Sequence, residues 1–98
     1  MDQKSEFEKC LPIFNALGSA VRQKIIFAIN EEKNLSVRSL AERIKLSRPT
    51  VSHHLGILQS AGIICHRRVG RERIYYFSFE DALRNMAKLI NSVENTKR

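Results

Sequence analysis

The sequence LAERIKLSRPTVSHHLGILQSAGIICHRRVGRERIYY, residues 40–76, decides the fold. Its first half contains two short segments whose apolar residues recur at helical spacing. Only Lys45-Leu46-Ser47 separates them, and helices joined this tightly must cross steeply, so the spacing predicts a helix-turn-helix. We expect Ser47 to cap the second helix and Gly62 to close it.

The second predicted helix has two chemically different faces. Val51, Leu55 and Leu58 form an apolar face, which we expect to be buried. The opposite face carries small hydrogen-bonding groups and has neither Glu nor Lys, which are more common on a solvated helix face. Such a face can approach base edges closely, so it favours recognition of double-stranded DNA. The candidate DNA-reading residues are Ser47, Arg48, Thr50, Ser52 and His53.

A β-hairpin is predicted after this helix, because two β-branched and aromatic runs, 63–69 and 73–79, surround a turn that contains Gly70. Arginines are concentrated at the tip and sides of this hairpin: Arg67, Arg68, Arg71 and Arg73. Charged residues at a sheet edge can simply prevent aggregation. Four arginines against the single Glu72 exceed what that role needs, so we predict a wing that contacts the DNA backbone or minor groove.

The net charge of +7 is concentrated in the same part of the chain. Residues 35–79 contain eight basic and two acidic residues, so they carry +6 of that total. This distribution is typical of a nucleic-acid footprint. The longest apolar run, residues 25–29, is too short to span a membrane, and the polar N-terminus is unlike a secretory signal. We therefore expect a cytoplasmic protein.

Three segments of the sequence resemble the ArsR-type (arsenical-resistance repressor-like) winged-helix family of bacterial regulators. They are FNALGSAVRQKIIFAI at 14–29, LSVRSLAERIKLSRPTVSHHLGILQSAGII at 35–64 and RRVGRERIYYFS at 67–78. The resemblance implies a homodimeric repressor whose second motif helix enters the major groove of DNA. It also implies a winged helix-turn-helix fold, mainly α with a small β-hairpin, in the order α-α-α-α-β-β-α.

We expect one winged-helix domain over residues 1–98. It would consist of an N-terminal dimer helix at 1–17, the helix-turn-helix core and wing at 18–79, and a C-terminal dimer helix and tail at 80–98. Pro12 predicts that the first helix starts near this residue or is kinked there, because proline disturbs a helix interior.

Both terminal helices carry an apolar stripe, which a domain this small has little internal surface to cover. We therefore expect a two-fold dimer built from these helices. It would present two recognition helices to successive major grooves, about 34 Å apart, and would require an inverted-repeat site. The candidate dimer residues are Phe7, Leu11, Phe14, Leu83, Met86, Ala87, Ile90 and Val93.

The sequence predicts no metal or cofactor site and leaves the effector open. In the resembling family, metal sensors place a Cys-x-Cys pair in the first motif helix, or Asp and His ligands on the last helix. The matching segment here, residues 35–40, has no Cys, and the last helix has Asp81 but no His. Cys10 lies on an apolar stripe and is expected in the core. A thiol switch through Cys10 or Cys65 stays open.

An enzyme is not expected, since the chain has no nucleophile elbow, no Gly-rich phosphate loop and no carboxylate pair in a plausible cleft. The sequence predicts a sequence-specific DNA-binding regulator of the repressor type. Two alternatives stay open: a winged-helix module that docks an acidic protein partner, and a non-specific nucleic-acid binder. A preference for one DNA sequence over others separates the first interpretation from both alternatives.

Overall fold

The computed structural model describes residues 3–32 and 34–96, which are mainly helical with a small antiparallel sheet. In chain order the elements are α1 (Gln3–Leu17), α2 (Ala20–Glu32), β1 (Leu35–Ser36), α3 (Val37–Ile44), α4 (Arg48–Ser60), β2 (Ile64–Val69), β3 (Glu72–Phe77) and α5 (Glu80–Thr96). α3 and α4 form the helix-turn-helix, and β2 and β3 form the wing. The predicted winged helix-turn-helix is therefore confirmed.

The core lies between the helix-turn-helix and α2. The predicted apolar face of α4, Val51, Leu55 and Leu58, has no exposed surface. Ile25 and Ile29 of α2 belong to the same buried cluster. Burying each such aliphatic side chain contributes about 1.5–3 kcal/mol. This packing fixes which face of α4 is left for solvent.

Serines begin both helices of the motif. The Ser36 Oγ accepts a hydrogen bond from the Ser39 N–H at 3.1 Å, and the Ser47 Oγ accepts one from the Thr50 N–H at 3.3 Å. Each serine has the extended backbone of an N-cap residue. After α4, Gly62 has φ 76°, as the predicted closing residue requires.

The turn between α3 and α4 contains a left-handed residue that is not glycine. Lys45 has φ 65° and ψ 45°, and its backbone N–H donates to the Ala41 carbonyl oxygen at 2.9 Å. The Leu46 N–H donates to the same oxygen at 3.2 Å. A lysine in this conformation costs about 1 kcal/mol relative to glycine. Burial of Leu46 against the core helps to hold the turn in this strained form.

The sheet contains a short strand that the predicted element order lacked. β1 pairs antiparallel with β3, with Leu35 opposite Tyr75 and Ser36 opposite Ile74, so the strand order is β1-β3-β2. Ser36 is therefore both the last residue of β1 and the N-cap of α3. This double role attaches the start of the helix-turn-helix to the wing.

α1 begins at Gln3 and continues through Pro12, so the predicted helix start near Pro12 is wrong. Pro12 has no N–H to donate to the Glu8 carbonyl. Both residues are exposed, so water can satisfy that carbonyl and the helix can continue. α1 packs mainly against α5. Its buried residues are Glu6, Cys10, Ile13 and Ala16, which confirms the predicted core position of Cys10.

Candidate nucleic-acid interface

The five residues predicted to read DNA are exposed at the N-terminal half of α4 or just before it. Arg48, Ser52 and His53 extend from the face opposite the core. Ser47 and Thr50 have a second task, because their hydroxyl oxygens are 2.8 Å apart and share a hydrogen bond. Together with the N-cap bond, this pairing holds the first turn of α4 in place.

The wing strands pair so that Arg68 lies directly opposite Arg73. Gly70 and Arg71 connect the strands, and Gly70 has φ 64°, a conformation that glycine adopts without strain. Because side chains alternate along a strand, Arg67 points to the other face of the hairpin from Arg68. The four wing arginines are exposed, but they do not all share one face.

One concavity joins α4 to the wing, and we call it the basic groove. It has a volume of about 390 Å³ and lies between the N-terminal ends of α3 and α4 and the wing. Its lining residues are Ser36, Val37, Arg38, Arg48, Ser52, Arg68, Arg71, Glu72 and Arg73. The groove thus brings together five of the predicted residues, two from the helix and three from the wing. The other predicted residues, Ser47, Thr50, His53 and Arg67, are exposed outside this lining.

The four predicted arginines of the basic groove form no ion pair with any residue that the structure describes. Within residues 3–32 and 34–96, no carboxylate oxygen lies within 4.0 Å of a guanidinium nitrogen of Arg48, Arg68, Arg71 or Arg73. Glu72 lines the groove without pairing with any of them. Uncompensated charge of this kind attracts a polyanion.

Two other basic residues of the helix-turn-helix are paired. Arg43, near the C-terminal end of α3, lies 2.9 Å from Glu31 and 2.8 Å from Glu32. Arg38, which is not among the predicted residues, lines the basic groove and lies 3.5 Å from Glu42, and both side chains are more than half exposed. Water screens that exposed pair, so Arg38 still contributes charge to the basic groove.

The chain is similar to known proteins over its helix-turn-helix and over most of its length. A family model described as "Bacterial regulatory protein, arsR family" matches residues 19–65. An uncharacterized HTH-type transcriptional regulator of Methanocaldococcus jannaschii, MJ1325, is 33% identical over 88 residues, which are 90% of this chain and 98% of the relative. The chain belongs to the arsR family. It is therefore similar throughout to regulators of transcription, which are not enzymes.

Two further proteins are similar to this arsR-family chain. The transcriptional repressor SdpR of Bacillus subtilis is 29% identical, over 85% of this chain and 94% of the repressor. A solved homodimeric winged helix-turn-helix DNA-binding domain from Mycobacterium bovis, a possible ArsR-family regulator, superposes with a TM-score of 0.74 at 25% identity. The superposition covers 97% of this chain and 87% of that domain. The winged helix-turn-helix of the arsR family is thus present over nearly the whole chain.

Two contacts beside α4 in this arsR-family chain were not predicted from the sequence. The His66 Nδ1 lies 2.7 Å from the Gln59 Oε1, and the His66 ring lies against Tyr75 with centroids 5.4 Å apart. His66 and Gln59 line a second concavity, of about 270 Å³, together with Ser52 and Arg73. One signal was available, since His66 lies two residues before Arg68 and therefore on the same strand face.

The thiols of this arsR-family chain differ in their surroundings. Cys10 has no exposed surface, and burial raises the pKa of its thiol, with a further increase from the nearby Glu6 carboxylate. Cys65 on β2 is half-buried. Because the reactive form is the thiolate, Cys10 is poorly suited to a redox switch.

The described residues contain neither a cluster of metal ligands nor a membrane-spanning helix. Across 3–32 and 34–96, no three His, Cys, Asp or Glu side chains come together as a metal ion would require. Over the same residues, no helix is both long and apolar enough to cross a membrane.

Proposed function

We propose that this chain is a cytoplasmic repressor of transcription that binds an inverted-repeat operator in double-stranded DNA as a homodimer. The basic groove carries this proposal, because it joins Arg48 and Ser52 of α4 to three wing arginines that have no carboxylate partner among residues 3–32 and 34–96. Contacts from arginine to phosphate supply much of the affinity for DNA. The same groove presents the N-terminal end of α4, from which base edges in the major groove are read.

The helix and the wing have different tasks in this proposal. Arg48, Ser52 and His53 read base edges, since arginine and small hydroxyl side chains match the donors and acceptors of the major groove. Ser47 and Thr50 contact nearby phosphates at the helix N-terminus with the hydrogen-bonding capacity that their mutual bond leaves free. The wing residues Arg67, Arg68, Arg71 and Arg73 hold the backbone or the adjacent minor groove.

Exposed apolar stripes on the terminal helices support the homodimer. On α1, Phe7, Leu11 and Phe14 are 48%, 55% and 40% exposed. On α5, Leu83 and Ile90 are 51% and 54% exposed. Both stripes follow the i, i+4, i+7 spacing of one helix face, with the exposed Ala87 between Leu83 and Ile90 on α5. Because α1 packs along α5, one partner surface can cover both stripes.

The remaining dimer candidates divide into two groups. Ala87 is exposed between Leu83 and Ile90, so it belongs to the centre of the proposed face. Met86 and Val93 are half-buried and pack against the core of their own chain, so they lie at its edge. The homodimeric Mycobacterium bovis domain provides a precedent for the dimer, and SdpR provides one for repression.

The test begins with the 98-residue chain and a library of random duplexes. The most enriched inverted repeat is then compared with a scrambled duplex by fluorescence anisotropy at several salt concentrations. We expect a preference of about a thousandfold or more for the selected duplex. Sedimentation of the complex should give two chains per duplex.

Arg84→Ala controls for the loss of a positive charge outside the basic groove, because Arg84 is an exposed arginine on α5 that pairs with Asp81. The affinity of this variant for the selected duplex should equal that of the unmodified chain. Equal, weak binding to selected and scrambled duplexes would refute sequence-specific recognition. It would support instead a non-specific nucleic-acid binder or a module for an acidic protein.

A further inference from the structure

Arg22 joins three helices through one side chain. Its backbone N–H donates to the Ser19 Oγ at 3.2 Å, which places it in the first turn of α2. Its Nε donates to the Ala16 carbonyl at 2.8 Å, and its Nη2 donates to the Asn15 carbonyl at 3.0 Å. The Nη1 lies 3.1 Å from Nδ1 of His54 on α4. The guanidinium therefore connects the end of α1 to the middle of α4.

The chemistry of the Arg22 side chain determines which atoms donate and which accept in these contacts. A guanidinium only donates hydrogen bonds, so the Nδ1 of His54 accepts and the ring proton is on Nε2. α1 has no basic residue in its last turn, and Arg22 supplies the missing cation next to two of its terminal carbonyls. Burial lowers the pKa of His54, and the charges of Arg22 and His53 lower it further, which keeps the accepting form of the ring.

The solvent side of the space between α1 and α4 is open. A concavity of about 690 Å³ separates Pro12 and Asn15 of α1 from Ser52 and His53 of α4. Side-chain packing therefore does not fill this side. On this side, the hydrogen bonds of Arg22 add to the core packing that α1 and α4 share, and the rigid, planar guanidinium makes these bonds directional.

We propose that Arg22 and His54 are positioning residues that set the offset of α4 from the dimer helix α1, and so determine which half-site spacing the homodimer accepts. This inference rests on the proposed dimeric function. α1 would be anchored at the two-fold axis, and His53, the neighbour of His54, would read DNA. Each added base pair moves the second half-site by about 3.4 Å and turns it by about 35°, so a small rotation of α4 changes the preferred spacing.

The test measures affinity for the selected operator and for versions whose spacer is one or two base pairs shorter or longer. An isolated half-site duplex is measured alongside. His54→Leu removes the acceptor, and His54→Asn keeps one near the position of Nδ1. Arg22→Lys keeps the charge, but one ammonium cannot bridge all three acceptors.

We expect His54→Leu and Arg22→Lys to bind the native spacing about tenfold more weakly, the value of one charge-assisted hydrogen bond. Their discrimination between spacings should shrink, while half-site affinity and dimer sedimentation stay unchanged. His54→Asn should retain the discrimination of the unmodified chain. If Arg22→Lys does not fold, the two His54 variants decide the result.

Two outcomes would overturn the inference, and they are distinguishable. If the unmodified chain prefers one spacing and His54→Leu keeps that preference, or loses half-site affinity to the same extent, the positioning role is wrong and the proposed function stands. If the unmodified chain accepts all spacings equally, the inverted-repeat dimer fails and the positioning role fails with it.

Discussion

Arg68 and Arg73 face each other across the two wing strands, and neither has a carboxylate partner among residues 3–32 and 34–96. Like charges directly opposite each other destabilise an antiparallel pair. Nothing in the described part of the chain compensates this repulsion, since Glu72 in the same groove pairs with neither arginine. A phosphate seated over both guanidinium groups would compensate it, so the pair is better suited to bound DNA than to the free protein.

The substitution Arg68→Thr tests this relationship. Threonine fits a strand and removes the repulsion, so the free energy of unfolding should stay constant or rise by up to about 1 kcal/mol. Affinity for operator and scrambled duplexes should fall alike, and the slope of log affinity against log salt should decrease by about one. Urea denaturation and anisotropy over a salt series measure the two effects.

Arg84→Ala serves as the control for Arg68→Thr, because it removes a positive charge from α5, away from the wing. Its salt slope should match that of the unmodified chain. A loss confined to the operator after Arg68→Thr would contradict a phosphate role and would make Arg68 a base-reading residue.

The substitutions Arg48→Ala and His53→Ala should act on specificity rather than on general affinity. Both side chains are exposed on the part of α4 that we propose to face DNA, where each good base contact would contribute about 1–3 kcal/mol of discrimination. We expect weaker binding to the operator and little change on the scrambled duplex, as measured by anisotropy at one salt concentration. Equal losses on both duplexes would show that α4 does not read bases.

Local patterns in the sequence were sufficient to predict the parts of the fold that depend on local interactions. The buried face of α4 follows from the spacing of Val51, Leu55 and Leu58, and a serine N-cap needs only the backbone three residues further on. The arginines of the wing were identified because their charge alone makes them unusual.

Features that depend on the tertiary arrangement were missed. β1 has only two residues and becomes a strand because Ser36 pairs with Ile74, far along the chain. The bond between Arg22 and His54 joins residues 32 positions apart, and no periodicity predicts it. The predicted helix start near Pro12 was wrong because the sequence alone does not show that Pro12 and Glu8 lie on an exposed face of α1.

Gly56 lies on the exposed face of α4, and the fold does not require a glycine there. A Cβ at this position would meet no atom within 4 Å, while glycine within a helix costs about 0.5–1 kcal/mol relative to alanine. Gly56→Ala should therefore raise the melting temperature by about 4–8 °C per kcal/mol gained. Operator affinity should fall, because the added methyl group projects from the face that carries Ser52 and Ser60.

The matched control for Gly56→Ala is Asn30→Ala, an exposed helix substitution on α2 that should also stabilise the chain. It should leave operator affinity unchanged. Calorimetry and anisotropy measure the two properties separately. If Gly56→Ala raised stability and left affinity intact, close approach of the α4 backbone to DNA at this point would be disproved.

His54 should make the stability of the chain depend on pH near neutrality. Burial, followed by the charges of Arg22 and His53, lowers the pKa of His54 below its unfolded value of about 6.5. The unfolded chain therefore binds a proton more readily than the folded chain. The contribution of His54 to stability is fully present above pH ~6.5 and declines as the pH falls through the pKa of His54 in the folded chain.

Urea denaturation from pH 8 down to about 5 should show a steeper loss of stability for the unmodified chain than for His54→Asn, which keeps the acceptor for Arg22 but has no titrating ring. His53, His66 and the carboxylates remain in both proteins, so the difference between the two profiles isolates His54 and cannot exceed the binding of one proton. Parallel profiles would mean that the Arg22 contact does not depend on the protonation state of this ring.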